Sequence, residues 1–254
     1  MSPDASKVVL VSGAARGIGE ATVRLFAQHG YAVVASDVLP QDAWDLEPGV
    51  ASIRETLDVR DEAAVVALVQ RTVSELGRID VLANIAGVVL VKPLDETTWE
   101  DYRQVVDVNL GGTFLACKHA LPVMKAQRSG SIVNMASVSG HVGQTDHAVY
   151  GSTKAAVIGL CRALAWEVAP WNIRVNSLSP GSVDTPMLRG DIEIEAARLG
   201  LPLSEVRASR EAEQALGRWA DPAEIAEAVY FLASSKASFV TGTDLLVDAG
   251  WVAR

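Results

Sequence analysis

The sequence predicts an α/β fold: an open, doubly wound, parallel sheet with helices on both faces. Three observations predict it. Short β-rich runs alternate with helical patterns almost from end to end. Most of these runs are apolar throughout instead of alternating, as strands covered on both faces are. No linker, composition change or repeat divides the 254 residues, so a single domain, 1–254, should hold every element with right-handed crossovers. With 49% hydrophobic residues, a chain of this length buries a core without disulfide or metal staples.

The first run, 8–12, is too short for a signal-peptide core and leads directly into Gly13. Runs 32–36, 81–84, 132–135, 175–179 and 245–247 read as further strands. Helical patterns fill 17–29, 61–76, 98–127, 148–168 and 221–233. Asp61 and Asp221 stand as N-caps, Pro222 takes a first helical position, and Gly30, Gly77 and Gly130 sit where helices stop. The rhythm breaks at 181–219, where periodicity at 191–199 and 204–216 flanks Gly200-Leu201-Pro202. An insertion of that length is usually functional, and it reads as a helical lid over about 186–216.

Several functions are excluded early. A net charge of −9 argues against nucleic acid or an anionic membrane as the main partner. No run approaches the ~18 apolar residues of a membrane helix, so the expectation is a soluble, cytoplasmic protein. The two cysteines, Cys117 and Cys161, are too few for a disulfide framework or zinc site and read as buried free thiols. The four histidines lack metal-site spacing, and no metal is expected. Of the six tryptophans, Trp99, Trp166, Trp171 and Trp219 fall on helix faces or ends and read as packing residues.

The first strand runs into Ser12-Gly13-Ala14-Ala15-Arg16-Gly17-Ile18-Gly19 and then a helix. Gly13 permits a tight turn, Gly17 lets backbone approach a pyrophosphate, and Gly19 lets helix and sheet pack closely. Phosphates would sit at the helix N-terminus, where free N–H groups and the dipole favour anions. Asp37 follows the second strand, where an acid accepts from the adenosine ribose hydroxyls and repels a 2′-phosphate; Arg16 pulls the other way. Asp58 and Val59 are placed to flank an adenine. Tyr150 and Lys154 are spaced i, i+4 near a helix start and share one face. Ser137 stands at the carboxyl end of a strand, where open α/β sheets bind ligands. An ammonium about 4 Å from a phenol is worth roughly three pKa units at an effective dielectric near 20, before desolvation opposes it. Tyr150 is therefore a candidate acid/base for an alcohol or ketone.

These motifs together resemble the short-chain dehydrogenase/reductase superfamily over essentially the whole chain. Ser12–Gly19 is similar to its glycine loop, with Ser for the commoner Thr. Asn84-Ile85-Ala86-Gly87 is similar to its Asn-Asn-Ala-Gly, with Ile85 for the second Asn. Asn109, Ser137, Tyr150 and Lys154 stand at its catalytic positions, and Pro180-Gly181 with Thr185 at its carboxamide segment. The resemblance implies a Rossmann-type fold in which Ser137 positions the substrate oxygen and Lys154 also holds the nicotinamide ribose. Asn109 would hold a water that passes the proton outward. Asn84, Ala86 and Gly87 would support the adenosine side, and Val183 and Thr185 would bind the carboxamide.

The expected activity is NAD-dependent oxidation of a secondary alcohol, or reduction of its ketone. Val89, Val142, Met187 and Leu188 beside Ser139, His141, Gln144 and His147 suit a cyclic alcohol, polyol or sugar better than a long acyl chain. His141 and His147 are open to either substrate contact or loop packing. An NADP-linked 3-oxoacyl reductase, favoured by Arg16, and a non-catalytic nucleotide sensor are the alternatives. Helices 98–127 and 148–168 are apolar on more than one face, which implies a homo-oligomer. The resemblance makes it a tetramer with these helices paired across a two-fold axis.

Overall fold

The structure is a computed structural model, and it describes residues 6–40 and 52–253. Strands and helices alternate as β1 (Val8–Ser12), α1 (Gly17–Gln28), β2 (Ala32–Asp37), β3 (Ser52–Thr56), α2 (Glu62–Leu76), β4 (Val81–Asn84), α3 (Trp99–Val106), α4 (Thr113–Gln127), β5 (Gly130–Met135), α5 (Ala148–Val168), β6 (Ile173–Pro180), α6 (Pro186–Leu199), α7 (Leu203–Ala212), α8 (Pro222–Ala233) and β7 (Asp244–Val247). All strand pairs are parallel, in the order β3-β2-β1-β4-β5-β6-β7. The order reverses between β1 and β4, and a crevice opens there beyond the carboxyl ends of the strands.

Two apolar layers sandwich the sheet, which is why its central strands are apolar on both faces. Leu10, Leu82, Ile132 and Val175 pack against α2, α4 and α5 through Leu68, Met124 and Cys161. Val9, Val11, Val33 and Leu178 pack against α1 and α8 through Phe26, Ile225 and Val229. Cys117 and Cys161 are free and buried, both engaging Asn134.

The caps form as the sequence reads. Asp61 accepts from Ala64 N, Asp221 and Glu224 make a capping box behind Pro222, and Gly77 ends α2 in the left-handed region. Gly130 does not end a helix. Arg128 (φ 51°) ends α4, and Gly130 opens β5, where a Cβ would lie 2.5 Å from Met124 Sδ.

Four other expectations change. β3 was not expected as a strand; only Ile53 of its five residues is buried. The pattern at 98–127 is two helices joined by a π-helical turn, Asp107–Gly112. There a Cβ on Gly112 would lie 2.6 Å from Val59 Cγ2, so the glycine lets the widened turn sit against the strand-end loop. Trp99 and Trp166 are exposed, at 72% and 87%, Trp99 stacking on Tyr102, while Trp171 lies under Lys125 and Trp219 is buried in a small core of its own between α6 and α7. In the insertion, the second helix begins one residue earlier than expected and ends at Ala212. Among the described residues no helix is long and apolar enough to cross a membrane.

Candidate active site

The glycine loop is fixed from both sides. Gly13 has φ +72°, and a Cβ there would lie 2.6 Å from Ala86 N. The Ser12 hydroxyl accepts from Ile85 N and Ala86 N at 3.3 and 3.4 Å, tying β1 to the loop after β4. A Cβ on Gly19 would lie 1.9 Å from Gly13 O, so α1 starts as close to the strand end as backbone allows. Gly17 has φ +58° and faces the Thr185 methyl at the foot of α6, 3.1 Å from where its Cβ would be.

This loop opens on a cavity of about 480 Å³. Gly13, Arg16, Gly17, Ile18, Gly19, Asp37, Asp58 and Val59 line one end of it. Asp37 Oδ2 accepts from Ala15 N at 2.9 Å and Oδ1 from Leu39 N at 3.0 Å. Arg16 is exposed on the rim. Asp58 is gripped by Arg60 at 2.6 Å, and that hydrogen-bonded guanidinium holds its carboxyl below the usual range. Ala86, Gly87, Pro180, Gly181, Val183 and Thr185 line the middle. Thr185 also caps α6 by accepting from Leu188 N.

Ser137, Tyr150 and Lys154 line the same cavity. Ser137 stands beside the Tyr150 phenol, close enough to favour its ionised form, and its hydroxyl belongs to a chain through Ser139 Oγ to Gln144 Oε1. Lys154 Nζ lies 5.6 Å from the Tyr150 ring centroid and donates to Met135 O at 2.8 Å. Burial pushes Tyr150 up to about 12, the neighbouring Ser137 hydroxyl opposing and the Asp191 charge adding. Burial also brings Lys154 down to about 8. The ammonium alone therefore does not bring the phenol toward neutrality. It is held to one side by Met135, and desolvation of the phenol outweighs it.

Four predicted residues lie off the cavity wall, Val142 among them. Asn109 is buried (1% exposed) in the π-helical turn. Its amide pairs with both backbone groups of Val88, at 2.8 and 2.9 Å, and with Thr153 Oγ1 at 3.1 Å. Its side chain thus ties the loop after β4 to α5, and its carbonyl accepts from Thr113. Asn84 is buried behind the wall, donating to Asn134 Oδ1 at 2.8 Å. His141 turns away to Asp244 Oδ2 at 2.7 Å and does not line the cavity. Val89, Ser139, Gln144, His147 and Met187 do line the cavity. His147 is buried, bonded to Thr145 O and set edge-on to Tyr150.

Gln104, Asp191, Ile192, Arg210 and Trp251 also line the cavity, and the sequence reading missed them. Asp191 and Arg210 look like solvated charges on the helices of the insertion, and Trp251 like a chain end. Only the expectation that 186–216 covers the site pointed at the first two. Among the described residues no metal-binding cluster occurs.

A family model described as Enoyl-(Acyl carrier protein) reductase matches residues 13–252. The chain is a short-chain dehydrogenase/reductase. It is 43% identical to cis-4-hydroxycyclohexanecarboxylate dehydrogenase of Sinomonas cyclohexanicum over 98% of both chains. Its fold superposes on ligand-free aldohexose dehydrogenase of Thermoplasma acidophilum with a TM-score of 0.90 and 34% identity, covering 98% of this chain and 95% of that one. The NADP-bound structure of ElxO gives 0.88 at 30% identity, covering 98% and 100%. The residues present fit the family's nicotinamide cofactor. A loop of forced glycines, the start of α1 and the Asp37 carboxylate share one cavity with the Ser137–Tyr150–Lys154 group.

Proposed function

We propose that this short-chain dehydrogenase/reductase moves a hydride between NAD(H) and a secondary alcohol or its ketone, of cyclic, polyol or sugar type. The observation that carries this reading is that Ser137, Tyr150 and Lys154 meet on the wall of the cavity that begins at the glycine loop. Bound nicotinamide supplies the hydride donor or acceptor. Ser137 and Tyr150 would hold the substrate oxygen between two hydroxyls, and Tyr150 would take the alcohol proton or return it to the ketone. Lys154 keeps positive charge beside that phenol and would hold the nicotinamide ribose. Asn109 would fix the loop and the helix that carry these groups, with a water at its carbonyl passing the proton outward. The start of α1 would bind the pyrophosphate, and Val183 and Thr185 the carboxamide. Relatives named for a ring alcohol and an aldohexose support the substrate class.

The test is the change in reduced-cofactor absorbance with NAD and with NADP over a panel of secondary alcohols and ketones. Turnover of ring alcohols with NAD is expected; binding of either cofactor with no turnover of any substrate overturns the reading in favour of a nucleotide sensor. The exposed Arg16 favours the other alternative, an NADP-linked 3-oxoacyl reductase, and a preference for acyl ketones with NADP would establish it.

We also infer that α6 and α7 act as a mobile lid. Pro186, Met187, Leu188 and Ile192 face the cavity from α6, and the pair has its own small core with Trp219, so it is built to move as a unit. Hydrogen exchange across 186–216 is expected to slow on addition of NAD and a ring alcohol; unchanged exchange at saturation counts against a lid.

A cytoplasmic homotetramer completes the proposal. Phe114 of α4 is 51% exposed and Trp166 of α5 87%, beside exposed Ala155, Gly159 and Ala163, an apolar strip that asks for a cover. A mass of four chains is expected in solution at micromolar concentration; a monomer refutes it.

A further inference from the structure

The end of the cavity beyond Tyr150 is walled by the two helices of the insertion, and its charges are unbalanced. Arg210 on α7 faces the cavity, but both Nε and Nη2 donate to Glu195 Oε2, at 2.9 and 2.8 Å. Its Nη1 lies 3.6 Å from Glu213. The guanidinium is therefore spent on its own helices and is not an open anchor for an anion. Asp191 on α6 also faces the cavity. Its side chain makes no hydrogen bond or ion pair among the described residues. It is only partly exposed, and burial together with Glu195 pushes its carboxyl up to about 6 against the pull of Arg210. Its charge reaches Tyr150 and raises that phenol. With Asp191 ionised, three carboxylates meet one guanidinium at this end. The other charges facing the cavity are Lys154, held at Met135 O, and the Arg16, Asp37 and Asp58–Arg60 groups at the far, glycine-loop end.

A half-desolvated carboxylate without a donor is satisfied best by hydroxyl groups, which give short, charge-assisted hydrogen bonds. A ligand carboxylate at the same place would meet net negative charge in a poorly screened pocket. Resting on the reading of Tyr150 as the acid/base, we propose that Asp191 selects the substrate. It accepts hydrogen bonds from hydroxyls remote from the reacting carbinol, so the enzyme takes neutral, polyhydroxylated rings and rejects ring alcohols that carry a carboxylate. Trp251, buried on the same cavity, offers an apolar face to such a ring. Hydroxyls donated to Asp191 also disperse the charge that raises Tyr150, so the selected substrate eases ionisation of the group that deprotonates it.

The probes are an aldohexose and 4-hydroxycyclohexanecarboxylate, compared in the native enzyme and in Asp191→Asn. The substitution keeps the shape and removes the charge. The native enzyme is expected to favour the hexose in kcat/KM by about tenfold to a hundredfold, the range that one like-charge contact gives at an effective dielectric of 20 to 40. In Asp191→Asn that ratio should fall at least about tenfold, chiefly through KM for the carboxylate. A ratio unchanged within about twofold, or a native preference for the carboxylate, overturns the assignment. Calorimetric binding of the same two probes to both proteins separates the failures. Charge discrimination in binding without any turnover overturns the hydride-transfer reading and leaves Asp191 as the selector. Equal binding of both probes by both proteins overturns Asp191.

Discussion

Tyr150→Phe is expected to lower kcat by about a hundredfold to ten-thousandfold, the range a positioned acid/base contributes, with cofactor affinity changed by less than about threefold. The substitution removes one oxygen from a ring that the edge of His147 already steadies, so the cavity keeps its shape. What it loses is the proposed proton carrier beside Ser137. Lys154→Ala is expected to damage both turnover and cofactor binding, because the ammonium stands beside Tyr150 and, on the proposed reading, also holds the ribose. The pH dependence has a definite sign. A phenol pushed up to about 12 is protonated at neutral pH, which suits ketone reduction as it stands. Alcohol oxidation needs the ionised form, so its rate should climb with pH. The climb should flatten near the value of about 8 to which burial brings Lys154, since above it the ammonium that supports the phenolate is discharged. Stopped-flow hydride transfer across pH checks both limbs. Full turnover in the phenylalanine variant would sink the mechanism.

The parts of this protein that the sequence made legible are those where a residue type has one physical use. Gly13 and Gly19 sit where a Cβ would overlap backbone, so their spacing announces the turn and the helix start. The i, i+4 pair of Tyr150 and Lys154 shares a helix face by geometry alone, and both reach the cavity. Where a residue type has several uses, the reading drifted. His141 lies on a loop bordering the cavity, yet a buried carboxylate on β7, Asp244, claims it. That partner is 103 residues away and invisible to local pattern. β3 escaped notice because it is an edge strand with one buried residue in five, and charged edges are how sheets avoid further pairing. Asp191 and Arg210 escaped because a charge on a helix is ordinarily solvated. Only the packing of α6 and α7 over the strand ends turns them inward.

The unmodified enzyme is expected to prefer NAD to NADP by about a hundredfold in kcat/KM, and Asp37→Ala to move that ratio toward NADP by a similar factor. The carboxylate is fixed by two backbone donors, Ala15 N and Leu39 N. Each oxygen then has a second lone pair left over, which suits a ribose diol with two hydroxyls to donate. A 2′-phosphate offers no such donors and brings nearly two negative charges. At about 5 Å and an effective dielectric of 20 to 40, each unit-charge pair costs roughly 2–3 kcal/mol before screening. Asp37 cannot swing aside without leaving two amide N–H groups unpaired, one of them in the glycine loop itself. Arg16, exposed on the rim, can return part of the cost to NADP, which is why the preference is about a hundredfold and not exclusion. It follows that Asp37→Ala should weaken NAD and relieve NADP, and that Arg16→Ala in that background should remove most of the NADP gain while barely changing NAD. A higher kcat/KM with NADP in the unmodified protein would mean that Arg16, not Asp37, governs the ribose, and would restore the NADP-linked reading.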